Sequence, residues 1–191
     1  LWPSGGGARG DTENAWRARV LRDGGDQNAG LVAGGALDID QAVESARKFP
    51  GLNGMDLARE VSTRETYAWL DGSLDLDSNV FARANTDTGV KQFHVVAYDY
   101  GIKRNILRLF AENDCRVTVV PADTSAEAAM AEDPDGIFLS NGPGDPDAVA
   151  YAPGIIRALA TGGIPTFGIC LGHQPIGLTF GGATAKLPHR H

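Results

Sequence analysis

His94-Val95-Val96-Ala97-Tyr98, an apolar run of strand length, is followed by Ile102, Ile106, Leu107 and Phe110 at helical spacing. The same strand-then-helix unit recurs three times. Arg116-Val117-Thr118-Val119-Val120-Pro121 reads as a second strand, and Thr124 with Glu127 three residues later is a capping-box signature for a helix through Met130. Gly136-Ile137-Phe138-Leu139-Ser140 is a third strand, with Ile155, Ile156 and Leu159 marking the third helix. Ile164-Pro165-Thr166-Phe167-Gly168-Ile169 is a fourth strand that delivers Cys170 to a fourth helix. Four such units in succession predict an α/β fold, a flavodoxin-like parallel sheet with helices on both faces. Ligands bind such sheets in a crevice at the carboxyl ends of the strands.

Ahead of this region the pattern is weaker. Residues 1–10 are glycine-rich; they formally match Gly-x-Gly-x-x-Gly at Gly5, Gly7 and Gly10, but no strand precedes them, as a dinucleotide site requires. Residues 11–23 carry Trp16, Val20 and Leu21 at helical spacing, and Ala29-Gly30-Leu31-Val32-Ala33-Gly34 reads as a strand. A helix is predicted from Asp40 to Lys48, stopping before Pro50. Between Glu60 and Leu76, Val61, Tyr67, Trp69 and Leu74 suggest short strands. Residues 82–92 are polar and aperiodic. They separate a partial, smaller α+β domain (1–81) from the α/β domain (93–191).

The net charge of −7, with seventeen basic residues that never form a run, argues against a nucleic-acid surface. No apolar stretch reaches the roughly 20 residues that cross a bilayer, and no signal peptide opens the sequence, so a cytoplasmic protein is expected. The two cysteines, Cys115 and Cys170, lie in different contexts that suit reduced thiols. No Cys/His spacing suggests a metal site apart from the terminal His189 and His191.

Cys170 sits in Gly168-Ile169-Cys170-Leu171-Gly172. A nucleophile on a sharp strand-to-helix turn occupies strained backbone, and glycines on either side remove clashing Cβ atoms. A lone cysteine can also be an inert core filler. The two glycines and the preceding apolar run favour the nucleophile. Ser140-Asn141-Gly142-Pro143-Gly144-Asp145-Pro146 ends the third strand. It reads either as a rigid turn or, beside the sulfur, as a set of amides that with Leu171 form an oxyanion hole.

Together, Asn141-Gly142-Pro143-Gly144-Asp145-Pro146 and Gly168-Ile169-Cys170-Leu171-Gly172-His173-Gln174 resemble the class I (triad) glutamine amidotransferases. Within that family the likeness is closer still to the small, glutamine-hydrolysing subunits of carbamoyl-phosphate synthases. It is carried also by Gly51-Leu52-Asn53-Gly54-Met55-Asp56-Leu57, by His94 through Gly101, by Lys103-Arg104-Asn105-Ile106-Leu107-Arg108 and by Asp135 through Ser140. The resemblance extends from about Asp11 to Leu187. It implies that Cys170 attacks the side-chain amide of L-glutamine to form a thioester. Ammonia then passes to a large synthetase subunit, which makes carbamoyl phosphate for arginine or pyrimidine synthesis. By the same matching Gly142, Gly144, Leu171 and Gln174 hold the substrate. No cofactor is implied in this chain, since ATP and Mg are expected on the partner. Lys103, Arg104 and Arg108 read as a solvated helix face before an interface.

The family's His-x-Glu pair, which activates the cysteine, has no counterpart here, because none of the four histidines is followed by a carboxylate at that spacing. Pro175 stands where the family has leucine, and the tail Lys186 to His191 departs from its pattern. A truncated copy with little activity is therefore expected, or a catalytically incomplete one that acts only as an interaction module.

Overall fold

The computed structural model describes residues 38–48, 53–75, 80–83 and 92–185. The readings for residues 1–10, 11–23 and 29–34, for most of the 82–92 linker and for the tail from Lys186 lie outside them. The chain divides into two compact units, Leu1–Asn53 and Gly54–His191. The described part of the first is helix α1 (Ile39–Arg47), one residue from its predicted bounds. Asp38 Oδ1 accepts from the Gln41 amide at 3.1 Å, satisfying one orphan donor of the first turn.

The second unit runs α2 (Leu57–Val61), β1 (Tyr67–Trp69), β2 (Asp71–Asp75), β3 (Val80–Arg83), β4 (Phe93–Asp99), α3 (Arg104–Glu112), β5 (Cys115–Pro121), α4 (Ala126–Ala131), β6 (Gly136–Leu139), α5 (Ala152–Thr161), β7 (Thr166–Gly168) and α6 (His173–Thr179). One sheet has the order β1-β5-β4-β6-β7, and β2 and β3 form a separate hairpin. The pairs β5–β4, β4–β6 and β6–β7 are parallel. Counted among the parallel strands alone the order is 2-1-3-4, the start of the flavodoxin-like arrangement. Tyr67–Trp69 adds an antiparallel edge to β5. The segment from Gly54 through β1, read from sequence with the front region, thus belongs to the unit that holds the sheet.

Side chains of the strands alternate between two apolar layers. Val96, Tyr98, Val120, Ile137 and Leu139 face one way and pack with Ala126 and Ala129 of α4 and Ala152, Ile156 and Leu159 of α5. Ala97, Val117, Val119 and Phe138 face the other way, against Leu107, Ile106 and Phe110 of α3. Phe110 meets Phe138 edge-on at 5.1 Å. Because both faces are covered, the strands are apolar at nearly every position, which is what parallel sheets require.

Local departures from the predicted elements have physical causes. The α4 cap is Ser125 rather than Thr124: Ser125 is extended and its side chain accepts from the Ala128 amide, while the Thr124 amide is spent on Pro121 O at 3.1 Å. Val61, read as strand, ends α2 instead, a five-residue helix held by Asp56, whose side chain accepts from the Arg59 amide. Leu139 is fully buried between β4, β7 and the α5 layer, whereas Phe93 at the start of β4 is 60% exposed. Leu139→Ala is therefore expected to cost about 2–5 kcal/mol in urea unfolding, and Phe93→Ala less than about 1 kcal/mol.

Candidate active site

The strand order reverses at β4. β5 lies on one side of it and β6 on the other, so the loops leaving β4 and β6 diverge at their carboxyl ends and open a crevice. Three chain segments converge there: Asp99–Lys103 after β4, Ser140–Pro146 after β6, and Ile169–Gly172 after β7.

The third segment carries Cys170. Its φ is +52°, the left-handed region that a side chain with Cβ enters at a cost of about 1–2 kcal/mol. The surrounding contacts hold it there. The Ile169 amide donates to Leu139 O at 3.1 Å, and the Gly172 amide donates at 3.0 Å to both Ser140 O and Ile169 O. A Cβ on Gly168 would stand 2.5 Å from Gly172 O, and one on Gly172 would overlap Leu139 O and lie 2.7 Å from Ser140 O. Neither position accepts a side chain. A single 3-10 turn (Cys170–Gly172) precedes α6, and the cysteine is exposed while Leu171 beside it is buried. Gln174 and His173 are exposed in the first turn of α6. Pro175 falls in that same turn and is buried; there its missing N–H breaks no helical bond.

The second segment is held from below. Ser140 is fully buried; its hydroxyl accepts from the Tyr100 amide at 2.9 Å and donates to Asn141 O at 2.8 Å. Asn141 Nδ2 donates to Gly101 O at 3.0 Å, and Asn141 Oδ1 accepts from the Lys103 amide at 3.2 Å. A Cβ on Gly142 would overlap Tyr100 O and approach Leu171 Cδ2 to 2.9 Å, so this glycine lies flat between the end of β4 and the cysteine turn. Gly144 has φ +105°. Among the described residues the amides of Gly142, Gly144 and Leu171 carry no hydrogen-bond acceptor. The structure therefore brings an exposed thiol to the same crevice as three unpaired donors. That arrangement is suited to a carbonyl carbon attacked by sulfur, with its oxygen held by amides.

Sequence reading did not single out Asp99. It is nearly buried at the end of β4; its Oδ1 accepts from the amides of Gly101 and Ile102 at 2.9 and 2.8 Å, and its Oδ2 from the Thr63 amide at 2.8 Å. The signal present was a carboxylate closing an apolar strand just before a glycine turn. Burial raises the phenols of Tyr98, Tyr100 and Tyr151 well above the usual tyrosine range, so all three stay neutral. Burial, and then Asp114, also raise the thiol of Cys115.

Two histidines are described. His94 is buried near the amino end of β4, its Nε2 2.8 Å from Thr118 Oγ1, so the run of strand from His94 to Asp99, about 17 Å, separates it from the crevice. His173 is exposed in α6. No group of three or more potential metal ligands occurs among the described residues, and none of their helices is long and apolar enough to cross a membrane.

Residues 96–191 match the family described as glutamine amidotransferase class-I. Carbamoyl phosphate synthase small chains are similar over most of this sequence. That of Xanthomonas campestris pv. campestris is 53% identical over 173 residues, 91% of this chain and 44% of its own length. That of Pectobacterium atrosepticum is 50% identical over 181 residues, 95% of this chain and 47% of its own. The chain thus spans a little under half the length of these relatives. A solved structure from Thermoplasma acidophilum, described as a GMP synthase subunit, covers 48% of this chain and 47% of its own, with a TM-score of 0.42 and 25% sequence identity.

The close approach at Gly172 predicts a sharp contrast with a glycine in open space. Gly172→Ala is expected to destabilise the fold by about 2 kcal/mol or more, since backbone carbonyls must give way. Gly177→Ala, inside α6 with nothing within 4 Å of the added methyl, is expected to stabilise it by about 0.5–1 kcal/mol in the same denaturant titration.

Proposed function

The chain belongs to the class-I glutamine amidotransferase family, and from that premise we propose that it performs the glutamine-hydrolysing step of a carbamoyl phosphate synthase small chain, with Cys170 as nucleophile. The observation that carries this reading is the exposed Cys170 at φ +52°, sharing a crevice with the unpaired amides of Gly142, Gly144 and Leu171.

The Cys170 thiolate adds to the side-chain carboxamide carbon of L-glutamine. A C–S bond forms and the carbonyl π pair moves to oxygen, where the amides of Leu171 and the Gly142 loop stabilise the charge. Each such donor is worth roughly 10²–10³ in rate. The tetrahedral species collapses as its nitrogen takes a proton; the C–N bond breaks, ammonia leaves, and a thioester to Cys170 remains. Water then attacks the thioester, giving glutamate and the free thiol. Gln174, beside the elbow on α6, contacts the glutamine. The ammonia is used by a large chain that carries ATP and Mg and makes carbamoyl phosphate. The attacking sulfur must first give up its proton, so a base must also act. His94 is excluded from that role by its place at the far end of β4.

The test is covalent labelling with a chloromethyl ketone analogue of glutamine. Sulfur displaces chloride, and the adduct is located by mass spectrometry. The expected result is saturable labelling of Cys170, slowed by L-glutamine and absent in Cys170→Ser. Cys115, whose thiol is half-buried with a raised pKa, should remain unmodified. Equal, non-saturable labelling of both cysteines would contradict the reading.

A further inference from the structure

The segment Gly54–Thr63 lies outside the stretch matched to the amidotransferase family, and the reaction just described gives it no part. Its contacts nevertheless reach two of the three segments that build the crevice, those after β4 and β6. At one end the Gly54 amide donates to Asp145 Oδ2 at 2.9 Å, and the Asp145 amide donates to Met55 O at 3.1 Å. These two bonds tie Asp145 to Gly54 and Met55, and the neighbouring Gly144 lies against the same segment: its added Cβ would stand 2.8 Å from Met55 O and 3.1 Å from the Leu57 amide nitrogen. At the other end the Thr63 amide donates to Asp99 Oδ2, and Ser62 Oγ accepts from the Ala122 amide at 2.9 Å, in the loop after β5. Between them, Ala58 of α2 is fully buried in the core. Val61 Cγ2 and Pro143 Cδ close on Gly101 from two sides, 3.0 and 2.9 Å from where its Cβ would be. Arg59 pairs with Asp123 at 3.1 Å and lies over the Tyr151 ring at 4.8 Å.

We infer that Gly54–Thr63 is a brace that fixes the Asn141–Asp145 loop, and that Asp145 is its positioning residue. The inference rests on reading Gly142 and Gly144 as donors to the glutamine oxygen. An anion hole works because its donors are set in place before charge develops, and a misplacement of about 1 Å can cost on the order of 100-fold. The loop has no regular secondary structure of its own. Asn141 ties one end of it to the β4 loop, and Asp145 ties the other to the brace through a charged acceptor, the stronger kind of hydrogen bond. Asp145 Oδ1 separately caps the short turn Pro146–Ala148 through the Asp147 amide. Asp145→Asn removes the negative charge and leaves an acceptor for only one of these two amides. Asp145→Ala removes both acceptors.

The test uses the full chain and two alkylating reagents. Iodoacetamide reports only the reactivity of the Cys170 thiol, whereas the chloromethyl ketone analogue of glutamine must also seat its carbonyl oxygen on the amides. In Asp145→Ala the ratio of the two rates is expected to fall about 10- to 100-fold, and in Asp145→Asn by a smaller factor. Ser125→Ala, which removes the α4 cap elsewhere in the fold, should lower the melting temperature and leave the ratio unchanged. Hydrogen exchange at the amides of Gly54 and of residue 145, which the brace bonds to Asp145 Oδ2 and to Met55 O, gives a readout independent of glutamine chemistry, expected to quicken at least about 10-fold in Asp145→Ala and by a smaller factor in Asp145→Asn. Exchange unchanged in both variants, or a ratio that falls as far in Ser125→Ala, would overturn the brace. A parent chain with no preference for the glutamine analogue but with exchange that quickens as expected would overturn the function proposed for the loop and leave the brace standing.

Discussion

The structure depends on one close approach: the backbone of Gly172 pressed against the end of β6. Its amide is bonded to Ser140 O, and its α-carbon lies so near Leu139 O that no side chain fits. Everything at the crevice follows from that contact. The chain leaving β7 has no room to continue straight, so it turns within three residues, and the residue at the apex takes φ +52°. The strain at Cys170 is a few kcal/mol at most and is sustained by the hydrogen bonds on either side and by the burial of Leu171. The same contact sets the distance between the thiol and the loop after β6, because Ser140 both receives the elbow and begins that loop.

The loop in turn is a rigid part of the crevice. Ser140 joins it to β4, Asn141 to the turn after β4, and Asp145 to Gly54 and Met55. With its ends tied and Pro143 and Pro146 restricting the backbone, little conformational entropy remains to be lost when a substrate arrives. Amides held in this way, with no acceptor among the described residues, suit the preorganised electrostatic site that the proposed function needs. The two buried layers of the sheet provide the stiffness behind it, with Tyr98 and Tyr100 fully buried in one of them as neutral phenols.

Much of this was legible in the sequence for a physical reason. A parallel sheet covered on both faces writes itself as nearly unbroken apolar runs, and Val95-Val96-Ala97-Tyr98 and Val117-Thr118-Val119-Val120 are two of them. The glycines at 168 and 172 were legible because a forbidden Cβ leaves a mark in composition. Less was visible where tertiary contacts decide. α2 is too short to show a helical period and exists through its Asp56 cap and the burial of Ala58, so Val61 looked like strand. The capping signature at Thr124 was displaced by one residue because Ser125 competes for the same role. The bonds from Asp99 to Thr63 and from Asp145 to Gly54 join residues 36 and 91 positions apart, and no local pattern announces them. The boundary read at residues 82–92 came from composition alone, whereas Gly54 onward is gathered to the sheet by just such distant contacts.

The central claim is that Cys170 and the amides of Leu171 and the Gly142 loop act together on one carbonyl group. A crystal structure of the chain with an aldehyde analogue of glutamine tests it most directly, because sulfur adds to the aldehyde carbon and leaves an oxygen where the reaction would place its charge. The expected result is a C–S bond to Cys170 with that oxygen about 3 Å from the Leu171 amide and from an amide of the Gly142–Gly144 loop. An adduct whose oxygen faces solvent while those amides bind other acceptors would contradict the account.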